Sequence, residues 1–373
     1  MNWSARISNV LREEHKGEPR PRFDSRDRIL AGSLAAASGA VNLLLLAVVG
    51  LSRGGDTFRY QAAAQDLLAR RSFGGPAGWA YAGYNGLLAT AEATGVGDVG
   101  VVLFQMLVAA CATAALYDLG RQLGGRAAGL LAAGFFVVDY DIARWHLYLL
   151  TDSLYISLVS IGTWIAHRAV GRGPGAYAAA SGVLLFAALV RPNGWILIPI
   201  VAIYWIVRSG LRSGVKVASA TAVAVIYAGG AMAVAIMQFG GDASPSSRVP
   251  GATQRPNPQT LPFARDLTIR DRLNSRMPIR VLTELAHVKP TFSRRHKVMV
   301  VVMLAAVYPL AGVGFVRSRR RPLARLVATV IAGHLMVVAV TFRDPDGRYL
   351  LYIFPLFVVF AACGAVALRW RWS

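Results

Sequence analysis

Long unbroken blocks of apolar residues limit what this chain can fold into more than any other feature. A bilayer core is crossed by roughly 20 consecutive apolar residues in helical form. Blocks such as Ile29–Leu51 and Val99–Leu119 reach that length. Of 373 residues, 55% are hydrophobic and only 16% charged, and the mean hydropathy is +0.46. A soluble domain of this size would carry far more charge to cover its surface. The blocks therefore predict an all-α, polytopic membrane protein of about ten transmembrane helices.

The remaining blocks are Ala127–Val138, Leu147–Ala166, Ala176–Val190, Trp195–Val207, Val217–Phe239, Val298–Val316, Leu323–Phe342 and Tyr349–Leu368. Two short ones flank Arg191-Pro192-Asn193-Gly194, where proline and glycine break the helix. Such a break is tolerated in a membrane where it lines a cavity. The polar stretch 52–98 forms a first outer loop with surface helices over Thr57–Arg71 and Tyr81–Glu92. A long outer loop, 240–296, opens Pro/Gly/Ser-rich and turns helical over Asp266–Val288. The organisation is thus a basic cytoplasmic tail (1–28), an N-terminal transmembrane module (29–239), the long extracytoplasmic loop (240–296) and the C-terminal transmembrane helices (297–373). The first apolar block follows a charged tail and is too long for a cleavable signal core.

The net charge is +21, and the only lysines are Lys16, Lys216, Lys289 and Lys297. Arginine supplies the rest, clustered between apolar blocks. That placement is topogenic, with attraction to anionic lipid added, and does not point to nucleic acid. Short loops carrying Arg121, Arg126, Arg168, Arg172 and the run 317–325 go inside, which leaves both termini cytoplasmic. On this topology Asp118 alone, among the acids beyond the tail, is cytoplasmic. Asp56, Asp139, Asp141, Asp152 and the others gather at the outer edge, where carboxylates near hydrocarbon are costly and imply a site.

Four features, in order, resemble the GT-C superfamily of membrane glycosyltransferases, which includes protein O-mannosyltransferases, the aminoarabinose transferase of lipid A and the oligosaccharyltransferases. They are GGDTFRYQAAAQDLL at Asp56, the acidic pair Asp139-Tyr140-Asp141, YLLTDSLY at Asp152 followed by LVRPNG at Arg191, and GRYLLYIFPLF at Arg348-Tyr349. Thr57 stands where a second acid is common in that superfamily. The resemblance implies inverting transfer of a sugar from a polyprenyl-phosphate donor, held in membrane lipid, to an extracytoplasmic acceptor. It makes Asp56 the candidate base. Arg191, Arg343, Arg348 and Tyr349 are candidates for the donor phosphate, since arginine offers it a planar fork.

Asp139 and Asp141 would share one face of an extended segment. There they could hold a divalent cation, Mg or Mn, or face an acceptor, with His146 as a further ligand. A solvated turn and an interfacial histidine are the plainer readings. Asp152 is placed in a helix first turn, where the dipole favours it, and Arg191 needs a carboxylate or phosphate partner. The rival function is a transporter or flippase for a lipid-linked or anionic substrate, which predicts internal repeats that the sequence lacks.

Overall fold

The computed structural model describes residues 23–73, 75–209, 294–341 and 347–369. The helix expected over Val217–Phe239, the long loop as far as residue 293, and Arg343 lie outside these. The described residues form helices α1 (Ser25–Val49), α2 (Thr57–Arg70), α3 (Pro76–Trp79), α4 (Ala82–Ala93), α5 (Gly97–Gly124), α6 (Arg126–Val138) and α7 (Tyr140–Trp145). There follow α8 (Thr151–Ala169), α9 (Pro174–Val190), α10 (Leu197–Arg208), α11 (Arg294–Ser318), α12 (Pro322–Thr341) and α13 (Phe354–Arg369). Two 3₁₀ turns, Pro192–Ile196 and Gly347–Tyr352, precede α10 and α13.

Two helices, α1 and α5, are long and apolar enough to cross a bilayer; α6, α9, α10, α12 and α13 are shorter apolar helices. Leu43, Leu44, Val48, Leu103 and Leu107 stand exposed on α1 and α5, as lipid-facing residues would. The polar groups of α1 and α8 turn inward instead. Ser38 and Asn42 of α1 are buried, and Ser157, Ser160 and Thr163 of α8 return their hydroxyls to carbonyls one turn back. That local bond satisfies a hydroxyl where water is absent.

Helix α5 is the hub, packed on by α1, α4, α6, α8 and α13. Helix α11 runs against α13 through two glycines. A Cβ on Gly314 would lie 1.9 Å from the Phe360 carbonyl oxygen, and one on Gly364 2.0 Å from that of Leu310. Backbones approach this closely only where no side chain intervenes.

At the end of the bundle where α1 begins, the arginines expected to be topogenic are also structural. Asp118, almost fully buried, accepts bonds from Arg121, Gln122 and Trp164 and pairs with Arg168 at 3.0 Å. Asp27 accepts from Tyr117 and Arg126, and Phe23 lies beneath both Arg121 and Arg168. This charge-matched cluster ties the entry to α1 onto α5, α6 and α8. Burying carboxylates is tolerable because each is paired and hydrogen-bonded.

Two expectations about elements are corrected. The segment 82–93 is more than a surface helix: Tyr84, Asn85, Leu88 and Ala89 are buried because α4 packs against α2, α5 and α9, while Thr90, Glu92 and Ala93 stay exposed. The last helix does not open at Tyr349, which sits in the 3₁₀ turn; α13 starts at Phe354.

Candidate active site

The candidate site forms at the other end of α1, where four chain segments separated in sequence are drawn together. Ser52 exchanges backbone bonds with Leu147 and Leu149. The Thr57 hydroxyl donates to the Leu149 carbonyl and accepts from the Gly54 amide. Thr57 therefore stitches the Asp56 turn to the segment that leads into α8. Gln105 of α5 completes the seam, accepting from the Tyr84 hydroxyl at 3.1 Å and donating to the Tyr148 carbonyl at 3.0 Å.

Asp56 precedes α2 but makes no side-chain bond to the helix amides, so capping does not explain it. Its carboxylate lies 3.6 Å from Arg59, and the two side chains are 36% and 48% exposed, respectively. The Arg59 guanidinium sits over the rings of Tyr60 and Tyr81, at 5.1 and 5.2 Å. Tyr60 also meets Tyr84 edge-on, and burial pushes its phenol well above the ordinary value. Asp56 is thus at the rim of the bundle, beside an aromatic wall.

Arg191 joins the same seam through Thr151, two residues after the Leu149 to which Thr57 bonds. The break after α9 leaves Arg191 with extended backbone before the 3₁₀ turn. Its buried side chain donates through Nη1 to the Thr151 hydroxyl at 2.7 Å and to Asp152 at 3.1 Å. The other Asp152 oxygen accepts from the Tyr352 hydroxyl. The guanidinium lies 4.7 Å from the Tyr352 ring centre and 5.6 Å from that of Tyr349. Buried His334 of α12 packs edge-on against Tyr352 and also faces Tyr155. Nε and Nη2 of Arg191 have no hydrogen-bond partner among the described residues.

The structure thus brings Asp152, Arg191 and Tyr349 together, with Asp56 at the rim beyond Tyr60. Arg348 belongs to the same 3₁₀ turn as Tyr349, and Arg343 lies outside the described residues. Arg59, Tyr60, Tyr81, Tyr352 and His334 were not singled out in the sequence. Arg59 and Tyr60 follow Asp56 by three and four residues, the spacing that puts side chains on one helical face, and that was the available signal. Nothing local marks Tyr352 or His334.

The extended segment expected to carry both Asp139 and Asp141 does not form. Asp139 ends α6 and caps the short helix α7, its Oδ1 accepting from the amides of Asp141 and Ile142. Asp141 is already in the first helical turn, and residues two apart on a helix do not face each other. Among the described residues no group of three or more His, Cys, Asp or Glu is arranged to hold a metal ion. His146 is buried, with Nδ1 2.8 Å from the Ser153 hydroxyl, and burial lowers its pKa to about 4.

Burial raises the Asp139 pKa to about 6, against two amide bonds that lower it and with Asp141 adding repulsion. The folded protein therefore holds this proton more tightly than the unfolded chain, whose value is 3.8. That contribution is fully present below pH 4 and is lost as pH rises through about 6, with an upper bound of about 3 kcal/mol. Asp139→Asn keeps a good cap and should flatten that part of the pH dependence. The check is the thermal midpoint between pH 4 and 8, compared with the parent; superimposable slopes would refute it.

Residues 87–237 match a family model described as dolichyl-phosphate-mannose-protein mannosyltransferase, a family of the GT-C superfamily. No curated protein matches the chain. The matched span holds Asp139, Asp152 and Arg191, while Asp56 and Tyr349 lie on either side of it. Over that span the chain is similar to membrane glycosyltransferases of the mannosyltransferase type.

Proposed function

We propose that this protein transfers a sugar from a polyprenyl-phosphate donor to an extracytoplasmic acceptor, with inversion at the anomeric carbon. The acceptor hydroxyl oxygen bonds to that carbon as the bond to the phosphate oxygen breaks. Asp56 takes the hydroxyl proton, and the polyprenyl phosphate departs with the electron pair. Arg191 holds the departing phosphate, with the Tyr349 ring beside its guanidinium.

The observation that carries this reading is the state of Arg191. A desolvated guanidinium is costly unless its donors are used, yet Thr151 and Asp152 occupy only Nη1. The free edge matches a phosphate, which takes two parallel N–H bonds from such a fork. Such donors, fixed before reaction, stabilise charge as it develops on a leaving group. The arginine-rich cluster and the Asp56 rim sit at opposite ends of α1, which supports an outward-facing site by the charge bias of cytoplasmic loops. No step is assigned to a divalent cation. Mannose is the first sugar to try, because it is the one that the matched family is described by.

Asp56→Asn should leave the fold intact, since the side chain makes no cap bond. It should also cut transfer about a hundredfold or more, the usual share of a positioned base. The assay follows labelled mannose from polyprenyl-phosphate mannose into product in membranes containing the full chain. Undiminished transfer by the variant would remove Asp56 as the base.

A further inference from the structure

Arg59 repeats, at the rim, the arrangement of Arg191 inside. Both guanidiniums lie over two tyrosine rings, Arg59 over Tyr60 and Tyr81 and Arg191 over Tyr349 and Tyr352. Each turns one terminal nitrogen to protein oxygens. For Arg59 this is Nη2, 3.3 Å from the Tyr60 hydroxyl and 3.6 Å from Asp56. Its Nε and Nη1 have no partner among the described residues. The two groups are also tied together by the backbone. Thr57 bonds to Leu149, two residues before the Thr151 that holds Arg191, and Gly83, two residues after Tyr81, packs against Leu189 and Val190 beside Arg191.

An arginine this exposed normally sweeps through many rotamers. Here stacking on two rings holds it in one place, a contact worth about 0.5–1 kcal/mol at an exposed site. A fixed cation with free donors, half open to solvent and joined through Thr57 and Gly83 to the segments that hold Arg191, has the form of a first docking point. We infer that Arg59 is an outer station for the phosphodiester of the lipid-linked donor, which it holds before the group reaches Arg191. This rests on the reading of Arg191 given above.

The probe is citronellyl phosphate, which carries the phosphate and the lipid side of the donor without its sugar, with citronellol and inorganic phosphate as controls. Binding is measured on the full chain in detergent. Arg59→Ala should weaken citronellyl phosphate about tenfold, the value of one charge-assisted hydrogen bond, and should lessen the loss of binding on adding salt. Arg59→Lys should recover part of both, and Arg59→Gln, which keeps much of the stem, should behave like alanine. In transfer assays the donor KM should rise about as much as binding falls, with kcat changed less.

Unaltered binding and salt dependence in both neutral variants would overturn the outer station while leaving Arg191 in place. Failure of the parent protein to bind citronellyl phosphate better than citronellol would overturn the phosphate reading of Arg191 and the station with it. Inorganic phosphate competing as well as citronellyl phosphate would overturn the assignment to a lipid-linked group.

Discussion

Arg191→Met will abolish transfer and lower the thermal midpoint, whereas Arg191→Met combined with Asp152→Leu will recover most of the stability and none of the transfer. The single change strands the Asp152 carboxylate, which is buried and keeps the Tyr352 hydroxyl as a partner. Breaking a buried ion pair from one side costs about 3–5 kcal/mol. Tyr352 and the α8 dipole place this case at the low end of that range. Removing both charges together is often close to neutral. The buried Tyr352 hydroxyl then loses its acceptor, so about 1 kcal/mol of the loss should remain. The two readouts separate because stability depends on the pair being matched, and transfer on the guanidinium itself. A double variant that still transfers sugar would show that Arg191 does not hold the phosphate.

Gly314→Ala will prevent accumulation of folded protein, or cost about 3 kcal/mol or more, while Gly312→Ala two residues away will be tolerated. The Gly314 methyl would fall 1.9 Å from the backbone oxygen of Phe360, which cannot rotate aside, whereas nothing lies within 4 Å of the Gly312 position. Gly364→Ala should match Gly314→Ala, since its methyl meets the Leu310 oxygen from the other side of the same crossing. The two should not add, because one separation of α11 from α13 relieves both clashes. Detergent-solubilised thermal unfolding of the four variants measures this. Equal midpoints for Gly312→Ala and Gly314→Ala would show that the crossing is looser than described.

Much of the helical framework was legible because apolar runs in a membrane leave the backbone little choice. Yet the expected block Val99–Leu119 becomes Gly97–Gly124. Its polar end stays helical because Arg121 and Gln122 find Asp118 on the same helix. Helix α7 went unread for the opposite reason. YDIARW is too short and polar to show a period, and it folds because Asp139 caps it.

Asp152 and Arg191 could each be picked out singly, but their bond spans 39 positions. Arg121, Arg126 and Arg168 look topogenic by composition. Only packing reveals that they neutralise Asp24, Asp27 and Asp118.

By itself the sequence determined that the chain is helical and belongs in a bilayer, because run length and charge content decide the solvent of each segment before any contact forms. It also placed Asp56 and Arg191 among the groups worth watching. The tertiary structure decided which charges neutralise one another and which keep donors to spare. Hydrogen bonds between side chains depend on ångström distances between helices, and those are set by packing, such as the glycine crossing of α11 and α13, that no local spacing encodes.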